Sequence, residues 1–202
     1  MASFEFTIGP TFKAEGGFQN KKNDSANYVN GILIGTNRGI SAVAYYTYYR
    51  RVPTVEDMKN LTVDQAKLIF KGNYWDKVAG DFIHNQSVAA LMFQYIIGAG
   101  SSQLSDIKDI ANTTFGKVVL VSNDLPITKA DANFINGLDQ SKFHANLKAW
   151  RFQYFDLVVT RSIAKWELEH KRKITEKEAI TETKKEFLNG WRNRLNTHIF
   201  KV

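Results

Sequence analysis

Three threonines in this chain are each followed, three residues later, by a side chain that can complete a helix capping box. The pairs are Thr62 with Gln65, Thr128 with Asp131, and Thr175 with Glu178. In such a pair each side chain bonds a backbone N–H that the first helical turn leaves unpaired. Only three prolines occur in 202 residues, and apolar residues recur at helical spacing through most of the chain. The sequence therefore predicts a mainly α-helical protein.

The same patterns predict the main elements. One helix runs from Thr62 to about Lys71, and Gln86–Ile97 forms a central helix that is buried because it is apolar nearly all round. A long helix runs from Ser141 to about His170, and a last helix begins at Thr175 and ends near Gly190. Residues 18 to 41 are rich in Asn, Gly and Ser and read as loop with a small β-hairpin. The long helix has a predicted inner stripe of Phe143, Leu147, Trp150, Tyr154, Leu157 and Val158.

Residues 98 to 102, Gly-Ala-Gly-Ser-Ser, interrupt the helical pattern. We expect two packed lobes that divide there, one from residues 1 to 100 and one from residues 101 to 202.

Composition excludes several kinds of chemistry. The chain has no cysteine, which removes disulfides, thiolate metal sites and cysteine nucleophiles. Its four histidines are not at metal-ligand spacings, and no serine-hydrolase, phosphate-loop or dinucleotide motif occurs. Nucleophilic-serine and nucleotide chemistry therefore have no support, and the histidines are expected to be surface or packing residues.

The net charge of +7 is concentrated at the C-terminal end, where residues 161 to 202 hold 11 Lys and Arg against 6 Asp and Glu. Such a surface attracts polyanions, including nucleic acid and an anionic cell wall. A nucleic-acid-binding protein stays an alternative that the charge permits, but no recognised motif supports it.

Glu15 is the strongest candidate for a catalytic residue. Phe4, Ile8, Phe12 and Glu15 share one face if this segment is helical, and Gly16-Gly17 ends the helix. A carboxyl group in the last turn meets the negative end of the helix dipole, and burial beside Phe12 would add to the effect. Both raise its pKa, as a general acid near neutral pH requires. The spacing alone also fits a solvated glutamate before a glycine stop.

Two further polar residues follow Glu15. Asp24 lies in a polar loop, where an Asp is usually only a turn residue, and Thr36 precedes Asn37-Arg38-Gly39-Ile40-Ser41. A carboxylic acid, a second carboxylate and a hydroxyl make a plausible glycosidase set. Gly16 and Gly17 would let a sugar approach closely, because neither has a Cβ. Several aromatic residues could stack on sugar rings, among them Tyr28, Tyr74 and the part-exposed run Tyr45 to Arg51; packing is the favoured role for Trp75.

These residues resemble the motifs of glycoside hydrolase family 108, the muramidases of phages and bacteria that include secretion-activating proteins. The likeness begins with Glu15-Gly16-Gly17-Phe18-Gln19-Asn20, continues with Asp24, and then with Thr36-Asn37-Arg38-Gly39-Ile40-Ser41. It extends through Leu61-Thr62, Tyr74-Trp75-Asp76, Gly80-Asp81 and Gly190-Trp191. The loop after Asp24 lacks the family's double glycine and carries about seven extra residues before Thr36.

The resemblance implies a lysozyme-like fold and an N-acetylmuramidase without cofactor. Its catalytic residues would be Glu15, Asp24 and Thr36, and its substrate contacts Gly16, Gly17, Tyr28, Asn37 and Tyr74. It implies that residues 101 to 202 bind peptidoglycan, and by analogy with phage lysozymes that the reaction inverts. The altered loop leaves open a wall-binding or secretion-accessory protein with impaired catalysis.

The sequence also bears on location. The N-terminus carries no Sec-type signal, and the longest apolar run, Val88 to Ile97, is too short to span a bilayer. We expect synthesis in the cytoplasm and action at the cell wall or in the periplasm after holin- or secretion-dependent release, with peptidoglycan glycan strands as the partner. The sequence does not indicate an oligomeric state.

Overall fold

The structure is a computed structural model that describes residues 1–14, 16–22, 24–97 and 102–202, except for the side chains of 10–14. Within these residues it has ten α-helices and four short strands, so the predicted mainly α class is confirmed. The helices are α1 (Phe4–Ala14), α2 (Ala42–Tyr49), α3 (Val55–Lys59), α4 (Val63–Phe70), α5 (Gln86–Ile96), α6 (Gln103–Phe115), α7 (Lys129–Asn136), α8 (Gln140–His170), α9 (Glu176–Glu182) and α10 (Lys185–Asn196). The strands are β1 (Tyr28–Val29), β2 (Ile32–Leu33), β3 (Thr36–Asn37) and β4 (Ile40–Ser41).

The three predicted capping boxes are present. Thr62, Thr128 and Thr175 each accept a hydrogen bond from the backbone N–H three residues on, and the partner side chain bonds back to the threonine N–H. A fourth box at Thr54 starts α3, a helix too short for its periodicity to predict.

Helix α5 forms the centre of the core, as its composition predicts. Leu91, Met92 and Phe93 are fully buried, and α5 packs against α8, α6 and the π-helical turn Lys71–Trp75. The Trp75 ring lies 5.7 Å from the ring of Phe4 and 6.0 Å from that of Phe93. The Trp75 indole donates a hydrogen bond of 2.7 Å to Asp81, so the packing role predicted for Trp75 is confirmed.

Residues 28 to 41 form two small antiparallel hairpins where one was predicted. Strand β1 pairs with β2, and β3 pairs with β4. Each turn has two central residues with positive φ, Asn30-Gly31 in the first and Arg38-Gly39 in the second. Two-residue type I′ turns require this conformation, and it matches the twist of the flanking strands.

Helix α2 carries the tyrosine-rich run. Tyr45 is buried, whereas Tyr46 and Tyr49 are exposed and Tyr48 is half-buried. The prediction of a part-exposed run is correct except at Tyr45, whose ring packs against Tyr49 and whose hydroxyl accepts a hydrogen bond from Arg51.

The inner stripe of α8 is partly different from the prediction. Phe143 and Leu147 are buried as expected, but the stripe then continues through Arg151, Phe155 and Val159. Leu157 is exposed, so the prediction is wrong there. Buried positions 143, 147, 151, 155 and 159 are each four residues apart, which moves the stripe away from Leu157 and brings an arginine into the interior.

The predicted last helix is two helices, α9 and α10. Thr183 separates them, with extended backbone angles of φ −126° and ψ 178°. Its hydroxyl donates to the Ala179 carbonyl oxygen at 2.5 Å and accepts from the Lys185 N–H at 3.2 Å. These bonds replace helical backbone pairing and hold the break. Gly190 consequently lies inside α10 and does not end it.

The predicted lobe boundary spans residues 98–102, of which 98–101 lie outside the described residues. On either side of it, α5 and α6 both pack against α8. Within the described chain, no helix is both long enough and apolar enough to cross a membrane.

Candidate functional site

Helix α1 ends at Ala14, directly before Glu15. Glu15 and the side chain of Phe12 lie outside the described residues. Gly16 and Gly17 follow as exposed residues, and a Cβ built on either would meet no atom within 4 Å. The helix end predicted before these glycines is therefore present, and open space adjoins both of them.

The segment after the glycines is joined to strand β3. The Gln19 N–H donates to the Thr36 carbonyl oxygen at 2.8 Å, and the Thr36 N–H donates to the Gln19 carbonyl oxygen at 2.7 Å. Thr36 is thus held beside a residue only four positions after Glu15. The sequence does not predict this pairing, because it is an isolated bridge between a single residue, Gln19, and the two-residue strand β3.

Gly35 makes this close approach possible. Its φ is +124°, and a Cβ there would lie 2.7 Å from the Gln19 carbonyl oxygen and 2.8 Å from the Phe18 ring. A side chain would therefore both strain the backbone and push the two segments apart.

Asn27 is the organising residue that the sequence analysis missed. It is fully buried, and its Nδ2 donates to the Lys21 carbonyl oxygen at 2.9 Å and to Gln19 Oε1 at 3.1 Å. Its Oδ1 accepts from the Thr36 hydroxyl at 2.7 Å. Its backbone carbonyl accepts from the N–H groups of residues 34 and 35. A buried amide with all these partners fixes the loop between Gln19 and Thr36.

These bonds also determine the direction of the Thr36 hydroxyl. The Lys21 carbonyl can only accept, so Asn27 must present its NH2 group there and its oxygen to Thr36. The Thr36 hydroxyl therefore donates to Asn27, and its lone pairs stay available to accept.

Asp24 is half-buried at the start of a 3-10 turn over Ser25–Asn27. Its Oδ1 accepts from the Ala26 N–H at 3.1 Å, and its backbone carbonyl accepts from the Asn27 N–H at 3.1 Å. Asp24 and Thr36 are therefore brought to opposite ends of one network that has Asn27 at its centre.

The other predicted contacts have different positions. Asn37 is buried, and its Nδ2 donates to the carbonyl oxygens of Met58 at 2.8 Å and Lys59 at 3.1 Å. With Arg38, whose Nε donates to the Leu61 carbonyl oxygen, Asn37 ties the second hairpin to the chain around α3.

The two tyrosines predicted to contact substrate have different structural roles. Tyr28 is half-buried, and its hydroxyl donates to the Lys22 carbonyl oxygen at 3.0 Å, so it belongs to the same loop as Asp24. Tyr74 packs its ring against Phe70 and Phe93, and burial raises the pKa of its hydroxyl. Tyr74 is thus part of the aromatic core beneath α5.

Among the residues that the structure describes, no group of three or more His, Asp or Glu side chains is arranged to hold a metal ion. The described part of the site offers the Asp24 carboxylate, the Thr36 hydroxyl and backbone amides.

Two comparisons with known proteins give a match. Residues 8–100 match the family described as glycosyl hydrolase 108. The fold matches the solved structure of Brucella abortus SagA with a TM-score of 0.67 and 18% sequence identity, over 96% of this chain and 90% of that one. Comparison with curated proteins gave no match.

Proposed function

Because residues 8–100 match the glycosyl hydrolase 108 family, we propose that this protein is a peptidoglycan hydrolase that cleaves the β-1,4 bond between N-acetylmuramic acid and N-acetylglucosamine. The observation that carries the proposal is the double hydrogen bond between Gln19 and Thr36. It holds a hydroxyl next to the segment that begins with the end of α1 and Glu15.

Glu15 is the proposed general acid, which protonates the glycosidic oxygen as the bond breaks. The end of α1 at Ala14 supports this role, because a carboxyl group at the negative end of a helix dipole is easier to keep protonated. Gly16 and Gly17 leave room for a sugar ring beside it.

Asp24 and Thr36 are the proposed partners of Glu15. The Thr36 hydroxyl donates its hydrogen to Asn27, so its lone pairs can accept a hydrogen bond from a water molecule and orient that water with a lone pair directed at the sugar. Asp24 is the proposed second carboxylate, which would activate that water or stabilise the positive charge that develops on the sugar. By analogy with phage lysozymes, we expect inversion at the anomeric carbon.

Gly16, Gly17 and Tyr28 are the proposed direct contacts with substrate. Asn37 and Tyr74 are proposed to act from beneath the site, because the Asn37 amide is committed to α3 and the Tyr74 ring is packed in the core. Residues 101 to 202 are the proposed peptidoglycan-binding lobe. We propose that the enzyme reaches the wall by holin- or secretion-dependent release.

The test is mass spectrometry of peptidoglycan after digestion by the wild type, by Glu15→Gln and by Glu5→Gln. Glu5 is an exposed carboxylate on the same helix, paired with Lys67, and exposed pairs of this kind contribute little to stability. We expect new reducing ends on N-acetylmuramic acid with the wild type and with Glu5→Gln, and none with a folded Glu15→Gln. Equal release by Glu15→Gln would contradict the proposal.

A second candidate is a protein that binds peptidoglycan or assists secretion with impaired catalysis. Two of the proposed catalytic groups are engaged in structural bonds, Asp24 with the Ala26 N–H and Thr36 with Asn27. Co-sedimentation of the wild type with insoluble peptidoglycan, without release of reducing ends, would favour this candidate.

A further inference from the structure

A cavity of about 310 Å³ lies between α5, α8 and α10, within residues that the family match does not cover except for α5. Its walls are mainly hydrophobic and aromatic, with Leu91, Phe155, Val158, Trp191 and Leu195 among them. This size is at the lower end of the range for small-molecule sites, roughly 300–1,000 Å³. It suits a ligand of one or two small residues.

Arg151 is the exceptional residue in this cavity. It is 7% exposed, and its guanidinium carbon lies 5.1 Å from the Tyr95 ring centre and 5.0 Å from each of the Tyr154 and Phe155 ring centres. Burying an arginine costs free energy unless an anion compensates. Burial accordingly lowers its pKa.

The polar partners of Arg151 are neutral. One N–H donates to Gln103 Oε1 at 3.2 Å and another to the Ile97 carbonyl oxygen at a long 3.5 Å. Within the described residues no carboxylate lies close enough to form an ion pair with it. A guanidinium has five N–H donors, so most of its hydrogen-bonding capacity has no protein acceptor in the described chain.

The other charged residues that line the cavity would also attract an anion. Lys184 and Arg194 also line the cavity, and none of its lining residues is acidic. The Tyr95 hydroxyl is buried without a hydrogen-bond partner in the described chain, and Tyr95 itself is 1% exposed. The Asp106 carboxylate acts on Arg151 through space but forms no ion pair with it in the described chain, so a ligand that brings a carboxylate would supply a direct counter-charge and an acceptor.

We propose that this cavity binds the C-terminal carboxylate of a short peptide with small apolar side chains, with Arg151 as the group that pairs with the carboxylate. The guanidinium edge can hold a carboxylate through two parallel hydrogen bonds, while the aromatic and aliphatic walls take the methyl groups. Resting on the proposed function, this ligand is the peptide stem of peptidoglycan, which ends in alanine. The cavity would then select wall strands whose stems carry a free carboxylate.

The test is isothermal titration of the full chain with N-acetyl-D-alanyl-D-alanine, with the C-terminal amide of the same peptide, and with inorganic phosphate. The acid should bind saturably, and the amide should bind at least tenfold more weakly because it lacks the charge. Equal affinity for acid and amide, phosphate binding as tight as the acid, or no acid binding at millimolar concentration would each overturn the proposal. This comparison needs no variant and is therefore independent of folding effects.

Variants locate the site. Arg151→Met should weaken binding of the acid at least tenfold, and Arg151→Lys should weaken it less because the charge remains. Arg161→Met is the matched control, since Arg161 is exposed on the same helix, and its affinity should equal that of the wild type. Unchanged affinity in a folded Arg151→Met would reject the assignment; if that variant does not fold, the comparison of acid with amide decides.

The wild type also separates this proposal from the proposed function. Cleavage of peptide-free glycan without binding of the acid would overturn the peptide site and leave the hydrolase. Binding of the acid without cleavage of any glycan would overturn the hydrolase and leave the peptide site.

Discussion

The backbones of Gln19 and Thr36 are joined by two hydrogen bonds, of 2.8 Å and 2.7 Å, although the residues are far apart in the chain. This pair fixes the distance between the segment that follows Glu15 and the hairpin that carries Thr36. Any change that separates the pair should therefore reduce activity even where Glu15, Asp24 and Thr36 are intact.

Gly35→Ala should separate the backbones of Gln19 and Thr36. The added Cβ would lie 2.7 Å from the Gln19 carbonyl oxygen, and the φ of +124° would be strained with any side chain. We expect a loss of about 2–4 kcal/mol in the free energy of unfolding, measured by chemical denaturation, together with loss of wall hydrolysis. Gly31→Ala is the control, because its φ is also positive but a Cβ there meets nothing within 4 Å; it should cost only about 1 kcal/mol. Equal costs would refute the steric argument.

Asn27→Ala should destabilise the loop by leaving Lys21, Gln19 and Thr36 without their buried partner. An unsatisfied buried group costs about 1–3 kcal/mol. Because these three bonds are only part-buried, their partners can regain water, and we expect a total loss of about 2–4 kcal/mol in unfolding free energy and a clear loss of activity. Asn20→Ala, on an exposed residue of the same segment, should change stability by no more than about 0.5 kcal/mol. Thermal unfolding of the two variants provides the comparison.

Thr36→Val removes the hydroxyl and nearly preserves the volume, whereas Thr36→Ser keeps the hydroxyl. If Thr36 orders the attacking water, kcat should fall about 100-fold in Thr36→Val and by much less in Thr36→Ser, with KM little changed in both. Similar kcat values for both variants would show that the hydroxyl serves only the structure. Release of reducing ends from purified glycan gives both constants.

The protein should lose stability in mild acid. Burial, with the nearby charges of His144 and Lys148, lowers the pKa of His198 from 6.5 to about 4. Between these values the unfolded chain binds a proton that the folded chain does not, so the free energy of unfolding falls as the pH drops from about 6.5 to about 4. The loss is on the order of 1–3 kcal/mol at about 1.4 kcal/mol per pKa unit.

His198→Gln should make the unfolding midpoint less sensitive to pH over this window. Some sensitivity should remain, since burial also lowers the pKa of His144. His84→Gln, on an exposed histidine, should leave the slope unchanged, and a slope equal to the wild type's in His198→Gln would refute the role of His198. Urea melts at several pH values measure this.

The sequence predicted the elements that depend on local signals. The capping boxes at Thr62, Thr128 and Thr175 mark helix starts that are present, and the uniformly apolar Gln86–Ile97 segment is the central helix. The break between α9 and α10 was missed because it depends on one hydroxyl of Thr183, which any helix could carry on its surface.

The arrangement of the candidate site was less predictable. Asp24 and Thr36 could be named as candidates by residue type, but their connection depends on Asn27, which looks like an ordinary loop residue in the sequence. Its burial and its bonds to Gln19, Lys21 and Thr36 arise only when the loop folds back on itself. In the same way, the periodicity of hydrophobic residues does not predict that Arg151 is buried. Its buried position is set by the packing of α8 against α5.

Helix α5 is shared by both halves of the molecule. Phe93 packs against Phe4 and Trp75, while Leu91 and Tyr95 of the same helix form a wall of the cavity around Arg151. Neither half can lose its structure without exposing apolar surface of the other, so calorimetry should record one melting transition for the full chain. A cut at residue 100 would leave two fragments that each lack part of their interior, and a peptide held in the cavity would raise the melting temperature of the whole protein.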